Sequence, residues 1–200
     1  MRKVARNIKV PTVKSSFVKV CPRHPHWLPK PFRKGWLLSL QINRTVSSVL
    51  STADIERLDA IEGHLNYREG MTLFALAYNA LGNGRIVEIG SFKGKSTSWM
   101  ATGLKLAEIE DKVVAIDPKI NVGDIEAASG HNEKTCAEVF WQNLTHLGLS
   151  DYVEPVPSTS NAAAVHWSGP IRLLLIDGSH RYEDVLSDLT LWVPWVERGG

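Results

Sequence analysis

Arg85-Ile86-Val87-Glu88-Ile89-Gly90-Ser91-Phe92-Lys93-Gly94-Lys95-Ser96-Thr97 decides how this chain is read. A short β-branched run ends at a glycine. Helical periodicity resumes at 96–109, where Trp99, Met100, Gly103, Leu104 and Ala107 share a face. Upstream, residues 67–81 place Leu73, Leu76, Ala77, Ala80 and Leu81 on one helical stripe, stopped by Gly82-Asn83-Gly84. Downstream, Lys112–Asp117 is a second strand closed by Pro118, which cannot continue it. A polar loop over 119–132 carries His131, and a helix at 133–147 aligns Cys136, Phe140, Leu144 and Leu147.

Tyr152–Val156 is a third strand, confined to a sheet edge by Pro155 and Pro157. Ile171–Asp177 is a fourth, apolar enough to predict burial on both faces. A last helix begins near Tyr182 with Val185, Leu189, Trp192 and Val196 at helical spacing. Strands alternating with crossover helices predict right-handed βαβ units and an α/β fold with a parallel sheet.

Of 200 residues, 44% are hydrophobic and 22% charged, enough for a core. No apolar run approaches the ~18 residues of a membrane helix. Cys21 and Cys136 are too few for a disulfide framework or a zinc cluster. The formal charge of +2 averages two unlike pieces. Residues 1–50 carry eleven Lys/Arg, five prolines and no acid, whereas the remainder carries twelve basic and twenty-one acidic residues.

The first 50 residues read as an extended basic arm, turning helical near Leu37–Leu50, and the domain as 54–200. The arm suits an anionic surface, lipid, nucleic acid or an acidic partner, or serves only as a solvating extension. Its start has no apolar core for a secretory leader, which predicts a cytoplasmic protein. His24, His26, His64, His146 and His166 have no companion ligands in the sequence.

In open α/β sheets a ligand sits at the carboxyl ends of the strands. Those ends carry Glu88, Asp117 and Asp177, with Pro157-Ser158-Thr159-Ser160 at the fourth. Three ligands compete for the glycine loop. Gly94-Lys95-Ser96 fits the end of a phosphate-cradling P-loop, but the loop from Gly90 is one residue short. Phe92 stands where a dinucleotide fingerprint needs its middle glycine. The third is an acid-x-Gly-x-x-x-Gly turn with a second acid ending the next strand. Glu88 repels phosphate and suits ammonium or sulfonium charge, Gly90 and Gly94 leave room for an amino-acid end, and Asp117 can take two ribose hydroxyls. S-adenosylmethionine has those parts.

The stretch VEIGSFKGKSTSWMA followed by KVVAIDP resembles class I S-adenosylmethionine-dependent methyltransferases. LLLIDGSHRYEDVLSDLTLWVPWVERGG resembles the branch with an I-D-G-x-H-x-Y-E signature, the macrocin-type and cephalosporin-type O-methyltransferases. The resemblance covers 54–200 and implies a Rossmann-like fold. It implies that Glu88, Gly90, Ser91, Gly94 and Ser96 line the methionine end, that Asp117 holds the ribose, and that Ser160 and Asn161 lie against the adenine. Ser160 equally suits a helix cap before Asn161.

The resemblance also makes Asp177 a Mg²⁺ ligand or a catalytic residue beside the methyl group. Mg²⁺ wants a near-octahedral oxygen shell, which Asp177 can begin but not finish. His180 suits a general base on an acceptor hydroxyl, since imidazoles change charge near neutral pH, or a residue ordering the helix entry. Glu183, Asp184 and Asp188 read as acids complementing a helix dipole. By the same resemblance, Gly199-Gly200 is the turn into a fifth of seven strands, so the chain reads as truncated.

The expected function is methyl transfer to a hydroxyl of a small molecule or sugar, Mg²⁺-assisted or not, by a possible homo-oligomer. The alternatives are a non-catalytic cofactor-binding or assembly module and a P-loop NTPase.

Overall fold

A computed structural model describes residues 49–79, 82–127 and 134–197. Residues 1–48 of the arm, Ala80, Leu81, His131 and the terminal Gly199-Gly200 lie outside the described residues, as do the expectations attached to them, while Leu50 at the arm's end is buried in the core. The chain forms α1 (Thr52–Asp59), α2 (Tyr67–Tyr78), β1 (Arg85–Ile89), α3 (Lys95–Leu106), β2 (Val113–Ile116), α4 (Val122–Ala127) and α5 (Cys136–His146). After these come β3 (Val153–Val156), α6 (Ser160–Val165), β4 (Ile171–Ile176) and α7 (Tyr182–Trp192). Among the described residues no helix is long and apolar enough to cross a membrane. Two short helices were not anticipated: α1, and α4 inside the predicted polar loop.

The four strands are parallel in the order β3-β2-β1-β4. Alternation along each strand splits the core in two, because successive side chains face opposite ways. Ile86, Val113, Ala115 and Val153 pack with Leu73, Phe74, Trp99, Leu104, Phe140 and Leu144 from α2, α3 and α5. Val87, Ile89, Val114 and Ile116 pack on the other side with Trp192, against Trp167 and Ala163. α2 and α3 approach closely through two glycines. A Cβ on Gly70 would meet Trp99 Cε2 at 2.3 Å, and one on Gly103 the Phe74 carbonyl oxygen at 2.6 Å.

Three helices start on capping boxes: Ser51 with Asp54, Asn66 with Glu69, and Thr135 with Glu138. Helix α3 has instead Gly94 at φ 82 and no side-chain cap. At the amino end of the sheet, Arg85 pairs with Asp111 (3.2 Å) and Glu154 (2.7 Å), and Arg172 with Asp111 (2.9 Å). This network ties β1, β3, β4 and the approach to β2.

β3 occupies an edge, as its prolines require. β4 is half-buried along Arg172–Ile176 rather than enclosed on both faces. Among the described residues it lies outermost on the opposite side, flanked there by one parallel bridge from Ile171 to Val196. Leu189, expected on the core stripe of α7, is 45% exposed, whereas Trp192 is fully buried. Helical spacing aligns the two residues but does not say how wide the covered stripe is.

Candidate active site

The chain runs outward from β1 through β2 to β3, then returns to lay β4 on the other side of β1. That reversal opens a crevice above the carboxyl ends of β1 and β4. A cavity of about 690 Å³ lies there, and its lining includes Ser91, Ser96, Asp117, Ser160, Asp177 and His180. Gly90 and Asn161 also line it; Glu88 and Gly94 do not.

Glu88 lies one layer below the cavity and is fully buried. It shares the α3 side of β1 with Ile86, by strand alternation. The hydroxyls of Ser96 and Thr97, in the first turn of α3, donate to its two carboxylate oxygens. Burial pushes its carboxyl up to about 7, against the opposing pull of the Ser96, Thr97 and Ser91 hydroxyls, and the Asp177 charge adds to the rise. The Ser91 hydroxyl, 2% exposed, lies close enough to ease that charge yet completes no hydrogen bond of full geometry.

Gly90 has φ 90, and a Cβ there would meet the Asp177 carbonyl oxygen at 2.4 Å. A Cβ on Gly94 would meet the Phe140 ring at 3.0 Å. The missing side chains thus clear protein, while Gly90 still lines the cavity and Gly94 does not. What the glycines allow is close seating of the loop between the β4 turn and α5.

Phe92, standing where a dinucleotide fingerprint has glycine, takes the left-handed conformation at φ 45. Its N–H donates to Asp117 Oδ2 at 2.8 Å, and the Lys119 N–H donates to Oδ1 at 2.8 Å. Asp117 thus clamps the glycine loop while keeping a lone pair on each oxygen for a further donor.

The Ser160 hydroxyl donates to Asp188 on α7, and the Ser187 hydroxyl donates to Asn161 Oδ1 at 3.0 Å. The cap of α6 is Thr159, which accepts from the Ala162 N–H, so Ser160 is not the helix cap. Residues 158–161 all suit a helix start, and the sequence does not say which one begins the turn. Asp177 and His180 are exposed to the cavity, and Ser179 donates to Asp184 at 2.6 Å. No ion pair to Glu88, Asp117 or Asp177 occurs among the described residues.

Sequence reasoning missed three contributors to the lining. Asp184 and Asp188, read as dipole acids, face the cavity one turn apart on α7; their i,i+4 spacing after Asp177 was the available signal. Gly63, His64 and Leu65, from the turn between α1 and α2, form another wall, and nothing local in the sequence marks them. The Lys95 ammonium, which suggested a phosphate loop, is committed instead to Asp59, donating to its carbonyl oxygen at 2.8 Å.

The family model described as a methyltransferase domain matches residues 87–200. An uncharacterized protein of Acanthamoeba polyphaga mimivirus is 29% identical over 114 residues, 57% of this chain and 47% of that protein. The chain thus spans about half the length of that curated relative. Among solved structures, the O-methyltransferase NovP has a TM-score of 0.54 at 18% identity, over 81% of this chain and 79% of that one. A cofactor-bound protein from MTB gives 0.52 at 22% identity, over 85% and 69%. An SAH-bound methyltransferase of Podospora anserina gives 0.52 at 15%, over 86% and 69%. At these identities the likeness is one of fold.

Proposed function

Because the chain belongs to this methyltransferase domain family, we propose that it binds S-adenosylmethionine in the crevice above β1 and β4 and passes the methyl group to a hydroxyl oxygen. The observation that carries this reading is a cavity edged by Asp117, Asp177, Asp184 and Asp188, none of which pairs with a lysine or arginine among the described residues, although Lys119 also lines it. A cationic ligand would supply the missing charge. The orphaned Ser91 hydroxyl offers a further hydrogen bond to it.

Bound S-adenosylmethionine supplies an electrophilic methyl on a positively charged sulfur. In this reading Glu88 acts from below, holding Ser96 and Thr97 and setting a negative potential under the ammonium end. Asp117 takes the ribose hydroxyls with its free lone pairs, and Ser160 and Asn161, tied to α7, border the adenine. His180 would accept the proton that the acceptor hydroxyl releases as its oxygen bonds to the methyl carbon and the sulfur–methyl bond breaks, leaving a neutral thioether. Asp177 orients that hydroxyl from the end of β4. The enzyme's main contribution is alignment of the two reactants.

Among the described residues no group of three His, Cys, Asp or Glu is placed to hold a metal ion, so nothing beyond Asp177 supports a Mg²⁺ site. No step is therefore routed through a metal. The proposed acceptor is a small molecule or sugar bearing hydroxyls.

Calorimetric titration tests the cofactor. Saturable heat with S-adenosylmethionine, competed by its demethylated product and absent with ATP–Mg²⁺, is the expected result. Heat with ATP–Mg²⁺ alone would return the phosphate-loop reading, and binding without turnover on polyhydroxylated acceptors would favour a cofactor-binding module.

A further inference from the structure

Helix α3 begins with a lysine, which its own dipole disfavours. Helices α1, α2 and α5 carry an acid in the first turn. Lys95 serves a different helix. Its side chain is 10% exposed and its ammonium donates to the carbonyl of Asp59, the last residue of α1, at 2.8 Å. The Asp59 carboxylate stands 3.4 Å away. The ammonium therefore satisfies a terminal carbonyl of α1 and meets the negative end of its dipole.

Two residues earlier, Lys93 reaches Glu62 at 2.5 Å. Lys93 is itself held at its carbonyl by the Asn143 side-chain amide at 2.8 Å. Gly63 rides over the aliphatic stem of Lys95, where a Cβ would approach Lys95 Cβ and Cδ at 3.3 Å. Both lysines of the glycine loop are thus spent on residues 59–62. The next three residues, Gly63, His64 and Leu65, are the cavity wall.

We propose that Lys93 and Lys95 are positioning residues that strap the turn between α1 and α2 across the glycine loop, so that residues 63–65 close the cofactor's site. The proposal rests on the assignment of that cavity to S-adenosylmethionine. Its logic is linkage: a ligand on the glycine loop and the turn above it share one support. Ordering the turn in advance spares the ligand that cost.

Two readouts separate the tether from the cofactor. Amide hydrogen exchange over residues 60–66 is measured in ligand-free wild type and in the Lys93→Met/Lys95→Met variant, which keeps both apolar stems. Exchange about tenfold faster in the variant is expected, with that of α3 and β1 unchanged. Equal exchange overturns the strap whatever the cavity binds.

Affinity for S-adenosylmethionine is then expected to fall about five- to tenfold in the variant, and to fall with salt more steeply in wild type. Unchanged affinity overturns the closing role. The charge swap Lys93→Glu/Glu62→Lys should regain most of the affinity that Lys93→Glu alone loses. Failure of the swap to exceed the single variant overturns pairing as the cause. If wild type does not bind S-adenosylmethionine, the cofactor assignment falls and the coupling with it, while exchange still decides the tether.

Discussion

The two ends of the sheet treat their charges in opposite ways. At the amino end, Asp111 and Glu154 meet Arg85 and Arg172 in one network, and each acid has a cation within 3.2 Å. At the carboxyl end, Glu88, Asp117 and Asp177 have hydroxyl and backbone N–H partners or open cavity, and no ion pair among the described residues. Burying an acid without a cation is unfavourable unless hydrogen bonds or a ligand compensate. The amino-end acids are therefore charge-paired within the fold, although Arg85 Nε and Arg172 Nε and Nη2 complete no hydrogen bond of full geometry. The carboxyl end is left with carboxylates that the proposed cationic ligand would complete. Substitutions at the two ends should separate stability from binding.

The largest effect is expected at Asp117. Asp117→Ala removes the acceptors of the Phe92 and Lys119 N–H groups together with the proposed ribose contacts. Charged hydrogen bonds at ~1.5–3 kcal/mol each predict affinity for S-adenosylmethionine weaker by about 50-fold or more. Phe92, at φ 45, should also relax once its N–H is released. Titration calorimetry checks the affinity. A variant that binds within a factor of two of wild type would remove Asp117 from the site.

Glu88→Gln should move stability and binding in opposite directions. Its carboxyl, ordinarily at 4.5, sits at about 7 when folded because burial dominates. The folded state then holds its proton more tightly than the unfolded chain. This residue's contribution is most favourable below 4.5, falls as pH rises toward 7, and stays flat above. The amide should therefore raise the melting temperature at pH 8 relative to wild type, by on the order of 5 °C, with little gain at pH 4.5. In wild type, affinity for the cationic cofactor should rise with pH through about 7 as Glu88 ionises, and the variant should lack that rise. A pH-independent stability difference would contradict the linkage.

The strand-end carboxylates were legible because strand ends follow from apolar runs: Ile86–Ile89, Val113–Ile116 and Ile171–Ile176 each deliver an acid at or beside the tip. The glycines were legible as a turn, but what their missing side chains clear was not. What Gly90 must clear is the Asp177 backbone, and that neighbour follows from the pairing of β1 with β4. The wall at 63–65 was invisible for a similar reason. It depends on a lysine 36 residues further along the chain that folds back to the end of α1. The width of the buried stripe on α7 and the half-burial of β4 depend on what packs alongside, which periodicity does not encode.

At the amino end the expectation reverses: stability falls and binding holds. Arg172→Met keeps the stem of a side chain that is 10% exposed and leaves Asp111 with Arg85 alone. Loss of about 1–2 kcal/mol in urea unfolding is expected, between the range for exposed pairs and that for buried ones. Affinity for S-adenosylmethionine should stay within twofold. A loss of binding comparable to that of Asp117→Ala would mean the two ends are coupled through the sheet.

The smallest effect sharpens the comparison most, because it asks whether the network acts as a unit. Glu154 is 49% exposed and pairs with the Nη2 of Arg85, itself 38% exposed. Taken as an isolated surface pair, Glu154→Gln should reduce stability by no more than ~0.5 kcal/mol. Arg85 also faces Asp111, so removing Glu154 leaves that guanidinium a second anion. In the Arg172→Met background, however, Asp111 has only Arg85. Loosening Arg85 from Glu154 then frees it to turn fully onto Asp111. The double variant should therefore lose less than the sum of the single losses, by about 0.5 kcal/mol. Strict additivity would reduce the amino-end network to independent pairs.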